Sequence, residues 1–208
     1  MSIKAGAFAS PILMKLARQA IDRLKQAPSD LAWAQEDAAV AIVFSAATIE
    51  ALVAEFALVC NGMRNTAGTE KQRGSVRLKL LVLKGMLPGV PFDTGKLPFQ
   101  DIALLIDLRD CLVHLKPVET TDGSHKLLRA AISRGCAASP PAGIEVPWLI
   151  QLLTRACAQW AVRVVEEFVE CIRADAAKAP FGPSFSLVAA ELWGTGVAAR
   201  TAGNETSG

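Results

Sequence analysis

"AAVAIVFSAATIEALVAEFALVC", residues 38–60, is the stretch whose reading decides the fold. It is long and apolar enough to suggest a membrane span, yet Glu50 and Glu55 lie inside it. A carboxylate at bilayer depth is costly, so the stretch reads as the buried central helix of a globular protein. Ser29 or Asp30 is placed to cap its start and Asn61-Gly62 to end it, with a bend expected near Ser45.

Composition supports a helical reading. Of 208 residues, 51% are hydrophobic and none is Tyr, while Ala, Leu and Val abound. That mixture favours helix over sheet and supplies a core without disulfides or metals. Twenty-two basic against twenty acidic side chains leave a net charge of +2, so any nucleic-acid surface must be a local patch. The five cysteines are odd in number and form no C-x-x-C pair. With an N-terminus that lacks a signal peptide's apolar segment, they lead to the expectation of a reduced, cytoplasmic protein with no membrane partner.

Outward from the central stretch, the helical period recurs. "SPILMKLARQAIDRLKQAP" places Ser10 as N-cap and Pro11 in the first turn of a preceding helix. "MRNTAGTEKQRGS" is a polar loop, and "VRLKLLVLKGML" (76–87) suits a third helix, although its Val/Leu content also fits a strand. Pro98 fits the first turn of a fourth helix, about residues 98–116, which Pro117 should stop. Residues 117–147 form an irregular connector broken by "TTDGS" and "ASPPAG", with "HKLLRAAISR" between them as a short helix or strand. "PWLIQLLTRACAQWAVRVVEEFVECIRADAAK" then reads as one strong helix. The expectation is an all-α, up-and-down bundle of about five helices: one domain over residues 1–179, and a partly disordered tail over 180–208.

The fourth helix carries the unusual chemistry. "LIDLRDCLVHLKP" (105–117) sets Arg109, Asp110 and His114 in an apolar run, and the chain has only two histidines. Arginine stays charged and is rarely buried alone, so Arg109 must reach water, pair with Asp107 or Asp110, or face a polar cleft. His114 falls where the helix should end, and the C-terminal dipole there favours a cation. A guanidinium to hold phosphate and an imidazole to move protons suffice to cleave a phosphodiester without metal. The bland alternative is a histidine that merely caps the helix. Five positions turn a regular helix through about 140°, so the two side chains diverge. They meet at one cleft only if the helix frays after Val113 or if a second copy supplies the complementary group.

"LRDCLVH" resembles the R-x4-6-H signature of HEPN (higher eukaryotes and prokaryotes nucleotide-binding) domains, with Asp110 as the polar residue after the arginine. "IVFSAATIEALVAEF" is similar to the family's early long helix, with Glu50 at its central acidic place, and "CAQWAVRVVEEFVECI" to its closing helix. The resemblance spans about residues 38–174. It implies a homodimeric helical bundle acting as a metal-independent endoribonuclease of toxin, abortive-infection or RNA-processing type, sometimes with an antitoxin partner. It further implies Arg109 and His114 as a catalytic pair, Asp110 beside them and Glu50 in support. Some members of the family are inactive and bind a protein or a nucleotide instead.

Other residues carry less. Arg64, Lys71, Arg73, Arg77, Lys79 and Lys84 concentrate positive charge and suit an RNA phosphate rim, or equally a solvated loop and helix face. That stretch has no aromatics to stack bases, so it would hold backbone and read little sequence. Cys111 lies between Arg109 and His114, but cysteine is more often a small buried hydrophobe than a nucleophile. His125 is expected in a polar loop. No metal-ligand spacing is present, and no metal or other cofactor is expected.

Overall fold

Residues 9–26, 31–64, 95–114, 122–137 and 146–178 are described by a computed structural model. They form six helices and no strand: α1 (Ala9–Gln26), α2 (Leu31–Arg64), α3 (Phe99–Val113), α4 (Asp122–Ile132), α5 (Trp148–Leu152) and α6 (Arg155–Lys178). The all-α class expected from composition and period is therefore the observed one. The expected helix over 76–87 and the tail over 180–208 lie outside the described residues.

The central stretch forms most of α2, and the other long helices gather on it. α1 packs along α2, while α3 and α6 cover further parts of its surface. Periodicity explains which faces meet. Met14, Ala17, Ile21 and Leu24 line the inner side of α1, and Ile42, Ile49 and Val53 that of α2. Ile102, Leu105 and Leu108 come from α3, and Val164 and Phe168 from α6. Phe99 meets Phe168 edge to face, with ring centroids 6.2 Å apart and planes at 85°. Small residues at Ala38, Ala41 and Ala46 are fully buried and allow neighbouring helices to come close to α2.

Several boundaries differ from the sequence expectation. α2 runs past Asn61-Gly62 to Arg64, because one interior glycine costs a helix only about 1 kcal/mol. It is one α-helix through Ser45, whose buried hydroxyl has no hydrogen-bond partner among the described residues. α1 begins at Ala9, and its cap comes from another helix. Glu55 Oε1 of α2 accepts the backbone N–H groups of Ala9 (2.6 Å) and Ser10 (3.0 Å), and Ser10 Oγ donates to Oε2 at 2.5 Å. A carboxylate there satisfies orphan donors and meets the positive end of the helix dipole. The acid that argued against a membrane span thus fixes α1 to α2.

"HKLLRAAISR" resolves as helix, and His125 lies within α4 rather than in a loop. α4 ends in a Schellman turn: Cys136 N–H donates to Ala131 O at 2.9 Å and Gly135 N–H to Ile132 O at 2.9 Å. Gly135 takes the left-handed conformation that this turn requires, with φ of 68°. The long helix expected after Pro147 is two helices. Leu153 leaves helical geometry at φ −79°, ψ 62°. Thr154 then caps α6, its Oγ1 accepting Cys157 N–H at 3.0 Å and donating to Cys136 O at 2.6 Å.

Candidate functional site

α3 is anchored at its first turn by a buried carboxylate. Asp101 Oδ1 accepts from Arg134 Nε at 2.5 Å, and Oδ2 from Trp160 Nε1 at 3.2 Å. Arg134 also donates to Ala130 O at 3.0 Å, so the arginine of the clamp is itself held. Nothing in the sequence pattern pairs residues so far apart. The available signal was an acid at a helix start followed by apolar residues, which a surface N-terminal acid gives equally well. From this anchor, burial of Ile102, Leu104, Leu105, Ile106 and Leu108 sets the rotation of α3.

That rotation leaves Arg109 at the edge of the core, its side chain 20% exposed. Its Nη2 donates to Glu50 Oε1 of α2, forming an ion pair between the two helices. Asp110 Oδ1 lies 3.3 Å from Arg109 Nε, close enough for charge attraction but not placed for a hydrogen bond. Arg109 Nε is buried and makes no hydrogen bond among the described residues. A bidentate anion would need that donor together with Nη2, in competition with Glu50. The resemblance implies a supporting place for Glu50. The geometry makes it the direct partner of Arg109.

His114 sits one residue beyond the last turn of α3. Its backbone N–H donates to Asp110 O at 3.0 Å, while φ −102° and ψ 26° carry the chain out of the helix. The residue is exposed. The helix ends at Val113, short of the expected 116, which leaves His114 at its end. A regular 140° projection no longer describes the His114 side chain, because the backbone turns there. The structure thus brings Arg109, Asp110 and Glu50 together and sets His114 on the surface at the end of the same helix.

Cys111 lies beside these charges. Burial pushes its thiol above the ordinary range, and the carboxylates of Asp107 and Asp110 raise it further. That environment opposes a thiolate, the reverse of what a cysteine nucleophile needs. Arg64 is the last residue of α2. Lys71, Arg73, Arg77, Lys79 and Lys84, expected to form the rest of a phosphate rim, lie outside the described residues. Among the described residues, no three His, Cys, Asp or Glu side chains gather in a cluster able to hold a metal ion. Gln35–Phe56 is long and apolar enough to cross a membrane, but half of its most apolar window is buried within the fold. Its Glu50 and Glu55 both bind groups on other helices. Comparison of the chain with known protein families, with curated proteins and with solved structures finds no match.

Proposed function

We propose that this protein is a metal-independent endoribonuclease of HEPN type, acting in the cytoplasm as a homodimer. The observation that carries the reading is the end of α3. There a part-buried arginine, oriented by Glu50, precedes an exposed histidine at the helix terminus. Arg109 would hold the scissile phosphate and stabilise charge as it builds. His114 would take the proton from the ribose 2′-hydroxyl, which attacks phosphorus and expels the 5′-oxygen of the next nucleotide. A 2′,3′-cyclic phosphate and a free 5′-hydroxyl result. The chemistry needs the 2′-hydroxyl, so DNA should resist. The role would be that of a toxin, an abortive-infection effector or an RNA-processing enzyme, with an antitoxin protein as a further partner in the first case.

The test is cleavage of single-stranded RNA in excess EDTA by wild type and by His114→Ala. Wild type should give cyclic-phosphate ends and leave the DNA of the same sequence whole. Activity that disappears in EDTA and returns with magnesium overturns the proposal. A second reading draws on the same ion pair. With two carboxylates about it, Arg109 also suits a catalytically inactive helical module that binds a protein or a nucleotide and keeps the arginine for packing. Wild type and His114→Ala both inert toward RNA, with equal melting temperatures, would select that reading.

A further inference from the structure

A second chemical feature lies away from Glu50 and Arg109, where α4 ends and α6 begins. Cys136 and Cys157 are both fully buried, at 0% exposure. Both are free thiols. Their side chains face each other closely enough for each thiol to shift the other, although 20 residues separate them in the chain. The backbones are tied as well. One hydroxyl, that of Thr154, donates to the Cys136 carbonyl at 2.6 Å and accepts the Cys157 N–H at 3.0 Å. The Cys136 side chain is further placed by its thiol, which donates to Arg134 O at 3.7 Å. The Schellman turn at Gly135 fixes the direction in which Cys136 enters the core.

We propose that Cys136 and Cys157 are a redox-responsive staple: a peroxide joins their sulfurs and ties the end of α4 to the start of α6. The neighbouring Cys157 thiol lowers Cys136 most; burial and the Asp101 carboxylate raise it, and the charges of Arg134 and Arg163 ease its ionisation. The neighbouring Cys136, with burial, raises Cys157 and keeps it protonated. The Cys136 thiolate attacks one oxygen of hydrogen peroxide, breaking the O–O bond. It becomes the sulfenic acid, and the departing hydroxide is protonated to water. Cys157 sulfur then attacks the Cys136 sulfur and loses its proton, and hydroxide leaves to form a second water. The sum is two thiols and one peroxide giving one disulfide and two waters.

The staple would also reach α3. Arg134 lies two residues before Cys136 and Trp160 three after Cys157, and these are the two side chains that clamp Asp101. Oxidation therefore locks together both arms of the anchor at the first turn of α3. Burial means that the oxidant enters through local opening of this corner, so the reaction should be slow but selective.

The test uses the full chain, folded and treated with hydrogen peroxide, then digested with trypsin under non-reducing conditions. Cys136 falls in the peptide 135–155 and Cys157 in 156–163. The expected result is these two peptides joined, two hydrogens lighter than their sum, and released by dithiothreitol. Closure should raise the melting temperature by about 5–15 °C, reversibly, since it restrains the unfolded chain. Cys136→Ala and Cys157→Ala should each abolish both effects. A background with Cys60, Cys111 and Cys171 all changed to serine should keep them, which guards against an alanine variant that fails to fold. Sulfinic or sulfonic acid at Cys136 with no joined peptide overturns the proposal. So does joining that appears only in urea, or a joined form with an unchanged melting temperature.

Discussion

Arg109 and His114 differ in what each should cost when removed. His114 is exposed and lies beyond the last helical turn, so His114→Ala should change stability by less than about 0.5 kcal/mol. If it is the general base, RNA cleavage should fall about 10²–10⁴-fold. Thermal melting beside the RNase assay checks both, and a large loss of stability with full activity would make it a structural histidine. Arg109 is bound to the fold through Glu50. Arg109→Ala leaves that carboxylate without its partner near Asp110, and should cost about 1 kcal/mol, a partly solvated pair being worth little more. Pairing Arg109→Ala with Glu50→Gln in a double-mutant cycle should recover part of that stability while activity stays lost. Recovery of both would mean that Arg109 serves only to neutralise Glu50.

At the scale of elements, two short connections decide where helices end. Gly135 needs a left-handed backbone, yet a methyl group there would meet nothing within 4 Å. Gly135→Ala should therefore destabilise by about 1–2 kcal/mol through φ alone, since space is not limiting. Thr154→Ala removes the N-cap of α6 together with its link to the Cys136 carbonyl, and should cost about 0.5–2 kcal/mol. Urea titrations of the two variants check both figures. A neutral Gly135→Ala would show that the turn relaxes to another conformation. These connections also explain the division of the long apolar stretch after Pro147. Its period is unbroken enough to suggest one helix, but a threonine with two partners in reach stabilises the break.

At the scale of the whole molecule, the issue is whether one chain completes the site. The end of α3 turns out of helical geometry at His114, which lets the two groups approach within one protomer. A two-fold axis beside α3 would instead set each chain's Arg109 against the other's His114. Our proposal takes the second arrangement, and the exposed Val113 beside His114 offers apolar surface for a second copy at that end of α3. Arg109→Ala and His114→Ala, unfolded together and refolded, should then regain activity, about half of wild type per mixed dimer. No recovery at any mixing ratio, or a monomer that cleaves RNA, would place both groups in one chain.

Residue order alone was sufficient for the helical class, for the burial of α2 and for the end of α3 ahead of Pro117. Those features follow from local physics: apolar period, the cost of carboxylates in lipid and the geometry imposed by proline. The pattern of Arg109, Asp110 and His114 was legible for the same reason, being short and local to the end of one helix. Other features needed the folded chain because their partners are far apart in sequence. Glu55 reaches the start of α1, Glu50 reaches Arg109, and Asp101 gathers Arg134 and Trp160. Each acid has several cations or donors it might meet, and periodicity cannot choose among them. The packing of α1, α3 and α6 on α2 makes that choice, because a buried charge must find whichever donor the core brings within reach.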